Sequence, residues 1–337
     1  MNFPKISVVI PVYNGEKYLN ETLQSVYQQT FDEFECIIIN DGSTDNTLEI
    51  IDHFEKIDKR FRHISIKNSG CANIPRIIGV MNSHADLVFN LDSDDLIEAN
   101  CLSKIYSRQK ETNADIVLLT VIGYRNELDE EFYRLPIDIL DKEKIYSGYE
   151  ICSLTIGGWQ ISCNGMLARK KLYNNISEGN LLNSDELTSR YILLKANKVT
   201  FAETFYHYRN RSDSISKKIT AKIFEKLIVD RQLNEFIDLN YGVESNIAQR
   251  IRRTRFFNLI YWQDLYFKNN FHFTYDEKIK VKNILLEAFK SQNFFYLRKE
   301  LHYIYYYLFL SQYQFFKFNS VIYMLIKTLK GKKYIVK

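Results

Sequence analysis

Five short apolar runs punctuate the first 120 or so residues: "ISVVIPV", "FECIIIN", "RHISI", "ADLVFNL" and "ADIVLLT". Each has the length and β-branched content of a strand. Between them lie "EKYLNETLQSVYQQ", "STDNTLEIIDHFEKI", "IPRIIGVMNSH" and "ANCLSKIYSRQK", where apolar residues recur at helical spacing. Strands alternating with helices predict right-handed βαβ units and a mostly parallel sheet covered on both faces. In such sheets ligands bind beyond the carboxyl ends of the strands. The loops to inspect are therefore "YNGE", "NDGSTD", "NSGCANIPR" and "DSDD", which follow the first four strands. Residues 121–215 are less regular, and from about 216 the pattern is helical and rich in Lys, Phe and Tyr. The expected class is α/β followed by a helical region. The boundaries read as 1–215, divided near 115 into two halves, and then 216–337.

Composition narrows the picture. At 337 residues and 46% hydrophobic, the chain can bury a sizeable core, so global disorder is excluded. The net charge of +4 is small, and the N-terminal half shows no concentrated basic face, so no nucleic-acid partner is expected. The five cysteines, Cys36, Cys71, Cys101, Cys152 and Cys163, are odd in number and form no CxxC pair. They read as free thiols in a reducing setting with no zinc site. The opening lacks a basic n-region followed by a long apolar run, and no window approaches 18 uninterrupted apolar residues. A cytoplasmic location without a membrane-spanning helix is the expectation. The absence of GxxxxGK[ST] excludes a P-loop enzyme.

The four loops carry the chemistry. In "DSDD", Asp92, Asp94 and Asp95 follow directly on an apolar strand. Like charges this close repel and raise one another's pKa. Two of them can share a hard divalent cation such as Mg2+ or Mn2+, which would neutralise a departing phosphate. The competing reading is a cap, Asp94 or Asp95 starting a helix over "LIEAN", although one Asp suffices for that. In "NDGSTDNT", Asp45 reads as a helix cap and Gly42 as a tight turn. Asp41 sits where a carboxylate can accept a base N–H. In "PVYNGE", Pro11 ends strand pairing and Tyr13 offers a flat ring, or the stretch is an ordinary strand-to-helix turn. In "NSGCANIPRIIG", Arg76 falls near a helix N-terminus, where its charge is unfavourable unless an anion lies close; a plain surface Arg is the alternative.

Three later stretches have structural and functional readings side by side. "NSDELTSRYILLKA" places Ser184 as a cap with acids in the first turn, a standard helix start. "YHYRNRS" sets a His and two Arg beside hydroxyls, and Arg suits phosphate oxygens; a solvated basic loop is the alternative. In "GGWQISCNGMLARK", Trp159 is either a core residue or a surface for stacking a sugar ring.

Together these loops resemble the family 2 glycosyltransferases with a GT-A, Rossmann-like fold. "SVVIPVYNGEKYLNETLQSVYQQTFDEFECIIINDGSTDNT" is similar to that family's opening signature along its length, and "SGCANIPRIIG" and "LVFNLDSDDL" to its later segments. Cys71 stands where a second Gly is common. Signature-level similarity covers about residues 5–105, and a weaker match continues to about 216.

The resemblance implies roles. Asp41 would hydrogen-bond a uracil, with Pro11, Val12, Tyr13 and Glu16 bordering the nucleoside pocket and Arg76 near the base or ribose. Asp92 and Ser93 would approach the ribose or donor sugar. Asp94 would be the chief metal ligand, with His207 as a further one. Asp185 matches the catalytic base, although Ser184 stands where the family usually shows an acid, and Glu186, directly after it, shares that assignment or borders the acceptor. Arg209, Arg211 and Ser214 or Ser216 would close on the diphosphate, and Trp159 would face the acceptor. The implied activity is an inverting, Mn2+- or Mg2+-assisted transfer from a UDP-sugar to a glycan or lipid-linked acceptor, of the kind found in bacterial surface-polysaccharide assembly. The alternatives are an inactive nucleotide-sugar-binding paralogue and a sugar nucleotidyltransferase. The aromatic, basic tail from about residue 295 reads either as helices packed on the protein or as an interfacial segment on an anionic membrane, which would make the enzyme peripheral at the inner face of the plasma membrane. Oligomeric state has no signal in the sequence.

Overall fold

The computed structural model describes residues 3–125, 130–134, 141, 143–156, 164–176, 181, 184–211, 218–300, 313, 316 and 317. They divide into two compact units. The first comprises the described residues within Met1–Thr155, Trp159–Asn180 and Thr188–Ser212. The second comprises those within Ile156–Gly158, Leu181–Leu187 and Asp213–Lys337.

The first unit is built on a nine-stranded sheet. Its leading strands are β1 (Ile6–Val12), β2 (Phe34–Asn40), β3 (Phe61–Ser65) and β4 (Leu87–Asn90). They alternate with α1 (Leu19–Tyr27), α2 (Thr47–Ile57) and α3 (Asn73–Met81). β1 lies between β2 and β4, and β3 pairs with β2, all in parallel. Every residue of β1, β2 and β4 is buried. That explains their continuous apolar character: a parallel strand covered on both faces has no polar side to alternate with. α3 lies so close to β1 that a Cβ at Gly79 would collide with Val9.

Beyond β4 the pairing becomes mixed. The further elements are β5 (Leu96–Ile97), α4 (Cys101–Thr112), β6 (Ile116–Arg125), β7 (Glu130–Arg134), α5 (Gly148–Thr155), β8 (Met166–Arg169), α6 (Ser184–Lys195) and β9 (Val199–Arg209). The strand order is β3-β2-β1-β4-β8-β6-β9-β5, with β7 on β6. β8 runs antiparallel between β4 and β6, β9 runs parallel to β6, and β5 runs antiparallel to β9. "LIEAN", which a cap would have made helical, instead contributes β5, and α4 begins only at Cys101. Leu96 pairs with His207 and Ile97 with Tyr206, so long-range pairing overrides local helix signals. Cys36, Cys71, Cys101 and Cys152 are free thiols; Cys163 lies outside the described residues.

The second unit holds α7 (Lys226–Tyr241), α8 (Asn246–Asn269), α9 (Tyr275–Lys290) and α10 (Phe294–Glu300). Phe224, Phe256, Leu259, Val281, Leu285 and Phe316 contribute to its core. α9 starts with a capping box: Thr274 Oγ1 accepts from the Glu277 N–H, and Glu277 returns the bond to the Thr274 N–H. Among the described residues no helix is long and apolar enough to cross a membrane. Most of the aromatic, basic tail lies outside the described residues.

Candidate active site

The first unit presents loops at the carboxyl ends of β1, β2 and β4, and the first two are stitched together. Asn14, at φ 51°, accepts from the Thr44 N–H through its side-chain oxygen, and its own N–H donates to Ser43 Oγ at 2.9 Å. The Glu16 N–H donates to Asp45 Oδ2, and Glu16 Oε2 accepts from the Asn46 N–H, each at 3.1 Å. Glu16 thus fixes the loop framework. Asp45 also accepts from the Thr47 N–H at the start of α2, but from the position before the cap residue, which is Asn46 rather than the expected Asp45. Val12 is buried at the end of β1, while Tyr13 stands 51% exposed, its ring presented to solvent.

Asp41 is buried immediately past β2. Its carboxylate accepts from the Ser69 N–H at 2.8 Å and from the Ser69 hydroxyl at 2.9 Å. Gly42, at φ 71°, turns the chain beneath Asn68, whose side-chain amide donates to the Asp41 carbonyl. Asp41 is therefore fixed in place by the loop that leads into α3.

The acid loop resolves into three different carboxylates. Asp92 accepts from Arg76 Nη2 at 2.7 Å and from the Asn164 side-chain amide. Arg76 is buried in the first turn of α3, so it is no surface Arg; the anion its position calls for is Asp92. Asp95 is fully buried. The Tyr206 hydroxyl donates to its Oδ2 at 2.6 Å, and the Arg209 N–H donates to its Oδ1 at 2.8 Å. The same hydroxyl accepts from the Asp92 N–H at 3.1 Å, tying both ends of the loop to β9. Asp95 is an anchor. Burial, followed by the charges of Asp94 and Asp92, holds its carboxyl well above the usual range.

Asp94 lies between these two. Burial pushes its carboxyl up to about 6, the charge of Asp92 adds to the rise, and Arg211 offsets part of it. Arg211 Nε lies 2.9 Å from Asp94 Oδ2. The Asp94 and Asp92 side chains keep 22% and 26% of their exposure. A divalent cation fits this pair: both are hard oxygen donors with solvent access, and a positive ion would relieve the repulsion that raises Asp94. Asp95 does not fit, because it is fully buried and has no solvent access. His207 sits on β9 opposite Leu96 and Ile122, in edge contact with Tyr124. The ligand atoms of Asp92, Asp94 and His207 do not all come within 4.8 Å of one another; among the described residues, those of Asp52, Glu55 and His63 on α2 and β3 do.

Arg209 is almost fully enclosed, with its Nε donating to the Asp94 carbonyl at 3.0 Å and its Nη2 to Glu21 Oε2 at 2.5 Å. Asp185 and Glu186 lie in the first turn of α6, which groups with the second unit. Ser184 is the first residue of α6, and its hydroxyl donates to the Leu181 carbonyl at 2.8 Å. Glu186 pairs with Lys226 at 3.1 Å. Ser93 sits within the acid loop, and Pro11 pairs with Ile39 inside the sheet rather than ending β1. Trp159, Ser214 and Ser216 lie outside the described residues. Sequence reasoning missed Tyr206, Asn164, Glu21 and the anchoring role of Asp95. The third Asp of "DSDD" was the one visible signal for any of them.

Comparison with known proteins places this loop set in a family. The profile of "Glycosyl transferase family 2" matches residues 7–176. Glycosyltransferase GlyG of Streptococcus pneumoniae serotype 4 is 30% identical over 265 residues, covering 76% of this chain and 86% of GlyG. The poly(ribitol-phosphate) beta-N-acetylglucosaminyltransferase TarP of Staphylococcus aureus is 41% identical over 118 residues, covering 34% of this chain and 36% of TarP. Among solved structures, residues 1–349 of S. aureus TarS superpose with a TM-score of 0.68 at 20% identity, covering 98% of this chain and 93% of that one. The same TarS fragment in complex with UDP-GlcNAc gives 0.67 at 21% identity, with the same coverage. The fold is the GT-A fold of these neighbours. The chain belongs to glycosyltransferase family 2, and it is a glycosyltransferase.

Proposed function

We propose that the chain transfers a sugar from a UDP-sugar to a hydroxyl of a glycan or lipid-linked acceptor, inverting the anomeric carbon. The observation that carries this reading is Asp94: a carboxyl raised to about 6 beside Asp92, with Arg211 against it, at the carboxyl end of β4. TarS has been solved with UDP-GlcNAc and with UDP, which makes UDP-GlcNAc the first donor to try.

In this reading Tyr13 stacks on the uracil. Asp41 accepts from its N–H, since each carboxylate oxygen that Ser69 engages retains a further lone pair. Asp92, held by Arg76 and Asn164, orients the ribose or donor sugar. A bound Mn2+ or Mg2+, held by Asp94 with Asp92, would supply positive charge to the leaving diphosphate. Arg211 turns its guanidinium from Asp94 to the phosphate oxygens, which suit its fork geometry. Asp185 removes the proton from the acceptor hydroxyl. The acceptor oxygen forms its bond to the anomeric carbon on the face opposite the departing UDP, which leaves with the electron pair of the broken C–O bond. Residues 1–215 form the catalytic region in this proposal. Of the tail beyond about 295, Leu297 and Phe316 are buried in the core of the second unit, which supports packing on the protein over an anionic membrane surface for these residues.

The test follows UDP release from a panel led by UDP-GlcNAc, with Mn2+, with Mg2+ and with EDTA. Metal-dependent release from one donor is the expected result. No release from any donor, together with no UDP binding by calorimetry, would overturn the reading.

A further inference from the structure

Arg209 and Arg211 are two residues apart, and by sequence both are candidates for the diphosphate. Their surroundings differ. The Arg209 side chain is 8% exposed, that of Arg211 29%. Besides its bonds to the Asp94 carbonyl and to Glu21, the Arg209 guanidinium lies over the rings of Tyr18 at 4.7 Å and Tyr124 at 5.1 Å. Its own backbone N–H fixes Asp95. Two faces, two donors and the main chain are therefore committed to protein, and each contact ends on a different element: α1 through Glu21, β6 through Tyr124, the acid loop through Asp94 and Asp95. A guanidinium so enclosed would have to abandon a carboxylate and two rings to reach a ligand. Arg211 is more exposed, with its Nε 2.9 Å from Asp94 Oδ2 and a longer approach, 5.5 Å, to the Tyr18 ring.

We propose that Arg209 is a positioning residue and not a diphosphate ligand: with Glu21 and Tyr18 it braces the acid loop against α1, so that Asp94 is held at a fixed height for its ligand. This rests on the reading of Asp94 as a metal-side residue. Tyr18 precedes α1 and Glu21 lies in its first turn, so α1 carries the brace on a rigid helix. The Asp94 side chain is placed by its own backbone, whose carbonyl accepts from the Arg209 guanidinium, while the Arg209 backbone N–H donates to the side chain of the next residue at Asp95 Oδ1. Loss of Glu21 would leave the guanidinium without its charged partner, and Arg209→Lys would keep the charge but lose the fork that reaches both ends.

The experiment compares the full chain with Arg209→Ala, Arg209→Lys, Glu21→Gln and Arg211→Ala. Two readouts are taken: amide hydrogen exchange over residues 92–97, and UDP affinity by calorimetry as a function of Mn2+. Arg209→Ala and Glu21→Gln should speed exchange in the loop, since local opening sets that rate. They should raise the Mn2+ needed for half-maximal UDP binding several-fold, with UDP affinity at saturating Mn2+ nearly unchanged and Arg209→Lys only partly restoring it. Arg211→Ala should leave loop exchange as it is and weaken UDP at saturating Mn2+ by about tenfold, the loss of one charge-assisted bond. The proposal is overturned if Arg209→Ala weakens UDP at saturating Mn2+ as much as Arg211→Ala does. It is equally overturned if loop exchange is unchanged in both Arg209→Ala and Glu21→Gln. Should Arg209→Ala not fold, Glu21→Gln, half-exposed at the surface, carries the test. Accelerated exchange in a chain that binds no UDP would keep the brace and remove the nucleotide reading alone.

Discussion

The sheet of the first unit holds an acid at each of its two ends, one buried and one half-buried, and the two have opposite fates. At the amino end of β2, Glu35 accepts from the Ser7 hydroxyl at 2.6 Å, from the His84 N–H at 2.6 Å and from Arg62 at 3.0 Å, with the His84 ring at 2.9 Å. Burial alone would raise its pKa, but these hydrogen bonds hold the carboxyl below its ordinary value. At the carboxyl end of β4, burial acts on Asp94 in the same direction, and its neighbour there is another acid. The difference lies in the donors. Glu35 is saturated by protein, so its charge is spent on joining β1, β2, β3 and the turn before β4. Asp94 has Arg211 against one oxygen and a second acid, Asp92, beside it, and its carboxyl is raised rather than lowered. In the proposed function, that raised carboxyl beside a second acid is what a cation would relieve.

Substitutions should separate the two kinds. The largest effect is expected away from both, at the proposed base: Asp185→Asn should lower turnover by about 10²- to 10⁴-fold while UDP affinity stays near wild type, as steady-state rates and calorimetry would show. Parallel loss of UDP binding would remove Asp185 from that role. Next comes Asp94→Ala, which should cost about 10²-fold in metal-stimulated UDP release, the scale of losing one preorganised charge in a site. Its melting temperature should fall little, because a repulsive neighbour of Asp92 is removed. Glu35→Ala inverts that pattern. It leaves the Ser7 hydroxyl, the His84 N–H and Arg62 without their acceptor and should destabilise the fold by about 2–3 kcal/mol, with turnover per folded molecule unchanged. Denaturant unfolding of both variants checks the contrast. Equal destabilisation by the two would erase the distinction between a saturated and a reserved acid.

Local pattern carried much of this in advance. The alternation of strands and helices through residue 112, the loops that follow β1, β2 and β4, and the helical character beyond 216 were all legible, because each is written in consecutive residues. What stayed hidden depends on partners far along the chain. Tyr206 reaches Asp95 across 111 residues, and Arg209 reaches Glu21 across 188. No spacing rule connects such pairs. The same holds for β5, where "LIEAN" carries local helix signals but pairs with β9 once that strand is in place. The three acids of "DSDD" looked equivalent in sequence. Only the partners brought by β9, α3 and the segment after β9 make one an anchor, one a charge partner of Arg76 and one a charge partner of Arg211.

The smallest expected effect is on the pH dependence of stability, and its sign differs between the two ends. Asp94 titrates near 6 in the folded protein against about 3.9 for an unperturbed Asp, so between those values the folded form binds more protons than the unfolded form. Stability contributed by this group therefore grows as pH falls through 6 and is lost as pH rises. Glu35, with its folded value lowered, contributes stability above the ordinary Glu value, and that contribution disappears as pH drops through its folded value. Urea unfolding of the metal-free protein at pH 7 and pH 5 should show Asp94→Asn losing the gain on acidification that Asp94 provides, and unfolding at a pH below the ordinary Glu value should show Glu35→Gln losing part of the decline there. UDP binding with Mn2+ should move the opposite way to Asp94's stability term and weaken below pH 6, because a protonated carboxyl is a poor ligand for a hard cation. Affinity that stays flat from pH 7 to pH 5 would mean that Asp94 is not the carboxylate holding the metal, and the comparison between the two ends would lose its functional half.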